Sequence, residues 1–281
     1  MTALIDVSGR LTKMPAEAGL PVSYNLKIGD TRLPLNELIG RPIQIEFEGM
    51  IRCIHCDRST NKSFSQGYCY PCFRKLAACD TCIMSPEKCH YHLGTCREPE
   101  WGETHCMVDH VVYLANSSGL KVGITRGTQV PTRWIDQGAV SAIPMLQVAT
   151  RQLAGLVEVV CKQHVADRTN WRAMLKGDVP ELDLAGERSA LLCRIQPELA
   201  ELREQHGDDA LREASGEALD LSYPVEVWPE KVKTHNLDKT PTVNGILQGI
   251  KGQYLILDTG VINIRKYTAY HIRLQVYPRA G

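Results

Sequence analysis

Apolar positions change their period several times along this chain, and the changes mark out its elements. In Pro42-Ile43-Gln44-Ile45-Glu46-Phe47-Glu48-Gly49 apolar and polar residues alternate, the pattern of a half-exposed strand. Two short apolar runs, Val111-Val112-Tyr113-Leu114 and Leu120-Lys121-Val122-Gly123-Ile124, flank Asn116-Ser117-Ser118-Gly119 and predict a hairpin. From 151 to 167 the spacing of Leu153, Leu156, Val157, Val160 and Val165 switches to a helical period. The stretch from Asp178 to Leu221 predicts two or three short helices. Pro197 suits a first turn there, and Gly207-Asp208-Asp209 a stop and a new cap. Beyond Pro224 the period returns to two in Tyr254-Leu255-Ile256-Leu257, Val261-Ile262-Asn263-Ile264 and His271-Ile272-Arg273-Leu274-Gln275-Val276, with Asp258-Thr259-Gly260 as a tight turn.

These shifts divide the chain into N-terminal strands (1–50), a cysteine-rich module (51–107), a mixed core (108–177), an acidic helical segment (178–221) and a small β-barrel or meander (222–281). The expected class is α+β, with the N-terminal strands able to complete the C-terminal barrel because chain termini often lie close together. At 281 residues the chain exceeds one ordinary domain.

Composition changes this picture in two places. The formal net charge is zero, but residues 178–220 carry twelve acidic groups against four basic ones, whereas 51–75 carry five basic against one acidic. Local basic patches therefore persist under a neutral total, and a polyanionic partner is not excluded. No apolar run approaches the ~20 residues of a membrane span, so no membrane partner is expected. The N-terminal residues lack the basic start and long apolar stretch of a secretion signal, which makes a reducing, cytoplasmic setting the expectation.

In that setting cysteines read as metal ligands rather than disulfides, and nine of the 11 fall between Cys53 and Cys106. Cys53-x2-Cys56, twelve residues, then Cys69-x2-Cys72 has the spacing of a four-thiolate zinc ribbon, a closed and therefore structural site. A second zinc is expected on Cys79, Cys82, Cys89 and Cys96, which keeps its ligands in one short loop. Cys106, His90, His92, His105 and His110 remain alternative donors, and Cys79-x2-Cys82 can also be a redox pair. Arg58 and Lys62 lie among Phe64, Tyr68, Tyr70 and Phe73, cations beside rings that suit phosphates and bases or else form the module's own core. Lys251, Arg265 and Lys266 make a second basic group on the C-terminal strands.

Val111-Val112-Tyr113, then Lys121-Val122-Gly123-Ile124-Thr125, then Arg133 and Glu158, resembles the GIY-YIG endonuclease domain over some sixty residues. The closest resemblance is to its phage-type branch, where Lys-Ile-Gly replaces Tyr-Ile-Gly and the glutamate is followed by a histidine and an aromatic, here His164 and Trp171. The whole chain also resembles an uncharacterised bacterial family that joins such a domain to a cysteine-rich module. The resemblance implies a divalent-metal-dependent phosphodiester cleavage, with Tyr113, Lys121, Arg133 and Glu158 catalytic, Glu158 holding Mg²⁺ or Mn²⁺, and Arg126 and His164 touching phosphate. These residue types suit that chemistry: a carboxylate holds the ion, an arginine fork meets a phosphate, and a lysine or tyrosine handles a proton.

Three departures bear on activity: the first motif has lost its glycine, Lys121 replaces a tyrosine, and Gln137 stands where many members place a histidine. Singly, each residue has a plain structural reading, Glu158 as a solvated helix charge and Tyr113 as core. Three functions follow: a metal-dependent nuclease acting on DNA or RNA, an inactive nucleic-acid-binding protein on the same fold, and a zinc-stapled adaptor for proteins.

Overall fold

A computed structural model describes residues 2–279 and divides the chain into two compact units. One unit comprises the residues up to Arg74, Leu175–Gly177 and everything from Leu221 onward; the other comprises Lys75–Met174 and Asp178–Asp220. No helix among the described residues is long and apolar enough to cross a membrane.

The first unit is built on a six-stranded antiparallel sheet in the order Ile5–Arg10, Tyr270–Val276, Pro42–Ile51, Thr242–Lys251, Tyr254–Leu257, Gly260–Asn263. The alternation along Tyr270–Val276 is the cause: Ile272, Leu274 and Val276 are buried while Arg273 points to solvent. The N-terminal strand pairs with the C-terminal one, Ile5 opposite Val276 and Arg10 opposite His271. The last three strands of this order form a meander, but the third strand expected in it, Tyr270–Val276, pairs instead with Ile5–Arg10 and Pro42–Ile51, and the sheet is open with no closed barrel. Its edges, Ile5–Arg10 and Gly260–Asn263, do not pair with each other. A smaller three-stranded sheet, Ala16–Glu17, Ser23–Ile28 and Thr31–Pro34, accompanies it.

The second unit has the predicted hairpin, His110–Asn116 against Leu120–Arg126, with Tyr113 opposite Gly123. A third strand, Ser141–Val148, pairs along the other edge of His110–Asn116, and it in turn carries Leu211–Glu213 and Leu219–Asp220. The helix Arg151–Cys161 is capped by Thr150, whose hydroxyl accepts from the Leu153 amide at 3.1 Å, and it buries Leu153, Ala154, Val157 and Cys161 against the sheet. Two helices, Leu184–Arg194 and Gln196–His206, add Leu191, Leu192, Ile195, Leu199 and Leu202 to the same core. Asp183 caps the first, Pro197 sits in the first turn of the second, and Gly207 ends it at φ 92°. The acidic segment is thus helical through its middle, from Leu184 to His206, and returns to the sheet at its end.

Candidate functional site

The ribbon cysteines come together in the first unit. Cys53 and Cys56 follow the strand Pro42–Ile51, and Cys69 and Cys72 open the short helix Tyr70–Lys75. The four sulfurs all lie within 4.8 Å of one another, and Cys56 Sγ is 3.6 Å from Cys69 Sγ. A tetrahedral zinc with four Zn–S bonds of about 2.3 Å has sulfur–sulfur edges of about 3.8 Å, so this donor set has the size and the chemistry of a zinc site. Burial works against ionisation of the Cys53 thiol, but the amides of Cys56, Cys69 and His55 turn toward the sulfur and bring it down to about 6. The turns that aim these amides carry left-handed residues, Asp57 at φ 56° and Gln66 at φ 62°. Phe64 packs on Tyr70 and Phe73 at 5.4 and 5.5 Å, a partly exposed aromatic group beside Cys69 and Cys72 in the chain.

In the second unit the hairpin holds a polar cluster. The Tyr113 hydroxyl donates to Gln137 Oε1 at 2.8 Å, and Lys121 Nζ donates to the same oxygen at 2.7 Å. Both side chains are buried, at 0% and 3% exposure. Gly123 makes this possible: a Cβ there would lie 2.6 Å from the Tyr113 hydroxyl oxygen and 2.7 Å from the ring carbon bearing it. The glycine of the second short motif is thus a space for the tyrosine of the first. Gly123→Ala is expected to cost about 1–3 kcal/mol by overpacking, read by chemical denaturation; an unchanged midpoint would mean that the ring can swing aside.

Arg133 and Glu158 act on both buried groups. Burial pushes the Tyr113 hydroxyl up to about 12; Arg133 opposes this by charge and hydrogen bond, and Glu158 adds to it. Burial, then Arg133, brings Lys121 down to about 8, with Glu158 and Asp167 pulling the other way. Tyr113 therefore remains a proton donor near neutrality, while Lys121 is partly neutral at mildly basic pH. Arg133 lies on the short helix Thr132–Asp136, and Glu158 on Arg151–Cys161. Glu158 Oε2 and Asp167 Oδ2 share the Lys162 ammonium at 3.3 and 3.1 Å. Asp167 arrives because its neighbour Ala166 bridges to Lys121 along the hairpin edge.

Of the remaining predicted contacts, His164 is exposed, and Arg126 is half-buried at the strand end opposite His110. Arg58 and Lys62 are exposed in the ribbon, Lys62 over the Phe64 ring at 5.3 Å. Arg265 hydrogen-bonds Gln66, which brings the basic group of the last strands against the ribbon loop. Lys266 is exposed, 3.6 Å from Asp238. Lys251 departs from expectation: it is 1% exposed, its ammonium lying over the Tyr223 and Trp228 rings at 5.2 and 5.1 Å. Burial brings its amine down to about 8, so it presents no surface charge to a phosphate. Tyr267 and Tyr270 are also buried. The second cysteine group is divided: Cys82, Cys89 and Cys96 line one cavity, while Cys79 is buried and does not line it.

A scan against protein-family models matches residues 40–272 to DUF2797, a family described as proteins of unknown function. The chain belongs to that family. No curated protein and no solved structure gave a significant match. In this DUF2797 chain the matched region takes in both the ribbon and the hairpin cluster, so both lie within the family's shared sequence.

Three site residues escaped the motif reading. Gln137 was visible only as a departure from the histidine of the resembling family, and its role as the shared acceptor depends on the turn after Arg133. Asp167 and Lys162 carried no signal, because their meeting with Glu158 depends on how the chain leaves the helix.

Proposed function

We propose that this protein acts on nucleic acid as a divalent-metal-dependent phosphodiesterase built on a GIY-YIG-like core, with the zinc ribbon as a structural and basic accessory. The observation that carries the reading is the meeting of Tyr113 and Lys121 on one oxygen of Gln137, with Arg133 and Glu158 acting on both. In this reading Lys121, neutral above about pH 8, takes the proton of the attacking water, and Tyr113 orients that water. Arg133 offers its planar fork to the phosphate. Glu158 and Asp167, which already share one cation in Lys162, are the groups that would hold Mg²⁺ or Mn²⁺. Such an ion supplies charge neutralisation at the phosphate. Arg58, Lys62, Arg265 and Lys266 contribute sequence-independent affinity for the backbone.

A second reading has its own support. Gln137 takes up both donors, and Tyr113 and Lys121 are covered, an arrangement that favours an inactive nucleic-acid-binding platform. One experiment separates the two readings: incubation with plasmid, single-stranded DNA and transfer RNA, with Mg²⁺, Mn²⁺ or EDTA, alongside binding measured at several salt concentrations. Metal-dependent strand scission that quickens as pH rises through about 8 supports the nuclease. Salt-dependent binding without scission supports the platform. Absence of both leaves a zinc-stapled adaptor for other proteins as the better account.

A further inference from the structure

The cysteines that the ribbon does not use raise a separate question. Cys82, Cys89, Cys96 and Cys106 line a single small cavity, otherwise walled by Asp80, Ala77, Ile83, Tyr91, Trp101 and Gly102. Six, six and nine residues separate them along the chain, so three short loops deliver the four side chains to one place. We propose that these four cysteines hold a second structural zinc ion as thiolates, with Cys106 rather than Cys79 completing the set.

Three observations beyond the cavity point there. First, the loops are anchored together. The Arg151 amide donates to Cys106 O at 2.8 Å, Arg151 Nη2 to Ile83 O at 2.7 Å, and Gln152 Nε2 to Cys89 O at 3.0 Å. The start of one helix therefore fixes the backbone at or beside three of the four ligands, which is how outer contacts orient a metal's ligands. Second, Arg151 is half-buried, and its buried Nε has no hydrogen-bond partner. A buried donor left idle on a cation is costly by itself. Four thiolates around one Zn²⁺ leave a net negative charge, which that guanidinium would offset. Third, the competing donors are engaged. Asp80, Cys82 and His90, and not the four cysteines, lie within 4.8 Å of one another, so the cysteine sulfurs would have to close in on the ion. Asp80 Oδ2, however, already meets Arg97 Nε at 2.8 Å and His90 Nε2 at 3.4 Å, and its Oδ1 caps Thr81 at 2.6 Å. The other ring nitrogen of His90 is 2.7 Å from Thr95 Oγ1.

Buried thiols can also act as small apolar groups. Four of them around one cavity, beside an unsatisfied cation, are better explained by a metal. The ion would fasten the loops to the helix Arg151–Cys161. Gly155 of that helix lies so close to the loop that an added Cβ would come within 2.6 Å of the Glu87 amide. That helix also bears Glu158, so the second zinc sets the position of the proposed ion-binding carboxylate.

The test measures metal rather than cleavage, so its failure and that of the proposed function are distinguishable. The full chain, expressed with zinc and dialysed, is expected to carry two zinc ions by elemental analysis. Cys106→Ser is expected to carry one, whereas Cys79→Ser and His90→Ala keep two. Zinc X-ray absorption of the wild-type chain is expected to give four sulfur neighbours per ion. A Cys106→Ser chain that keeps both ions, or a Cys79→Ser chain that loses one, overturns the assignment. If Cys106→Ser does not fold, the wild-type absorption spectrum and the Cys79→Ser metal content decide together. A nitrogen or oxygen neighbour at either ion, or loss of one ion from Cys79→Ser, overturns the proposal; four sulfurs with both ions kept supports it.

Discussion

Glu158→Gln is expected to lower metal-dependent cleavage by about a hundred- to a thousandfold, the scale of removing one preorganised stabiliser from a phosphoryl or acyl site, while affinity for nucleic acid measured in EDTA changes little. The asymmetry comes from chemistry. The substitution keeps the side chain's size and removes the charge that now faces Lys162 and would face the divalent ion. It touches no group assigned to phosphate. Arg133→Ala should differ by weakening both binding and turnover, because a guanidinium near the hairpin attracts phosphate before and during reaction. Wild-type cleavage that survives Glu158→Gln at full rate would remove Glu158 from the chemistry.

Cys72→Ser is expected to cost the ribbon its zinc and with it the order of residues 53–72. Structural zinc sites contribute about 10–16 kcal/mol of apparent binding free energy, more than the loop's few apolar contacts around Phe64 can replace. Elemental analysis should lose one ion relative to wild type, and limited proteolysis should cut between Cys53 and Cys72. Cys193→Ser is the control, since Cys193 is exposed and lies outside every cluster described here. Full zinc content together with an unchanged proteolytic pattern in Cys72→Ser would end the ribbon assignment.

Local patterns were legible wherever a physical period or a fixed spacing stated them. The hairpin, the helix from Arg151 and the two acidic helices followed from apolar periodicity and cap residues such as Pro197 and Gly207. Strand Ser141–Val148 was missed because it carries Pro144 and is buried on both faces in places, which erases the alternation. The edge pieces Leu211–Glu213 and Leu219–Asp220 were missed because segments of two or three residues hold no period at all. The open sheet, where a small barrel or a meander was expected, reflects strand order and shear, which alternation alone does not encode.

The cysteine spacing by itself determined the ribbon, since two CxxC turns at that separation have few other ways to use four thiolates in a reducing setting. Apolar runs and periodicity likewise determined the hairpin that bears Tyr113 and Lys121 and the helix that bears Glu158, whereas the short helix of Arg133 carried no such signal. Tertiary structure decided what surrounds them. Only folding put Gln137 between Tyr113 and Lys121, brought Asp167 and Lys162 to Glu158, covered Lys251 with two rings and exchanged Cys79 for Cys106 at the second cysteine cavity. The division has one physical reason. Periodicity and turn chemistry act over a few neighbouring residues, whereas burial, charge and ligand geometry depend on which distant segments share a core.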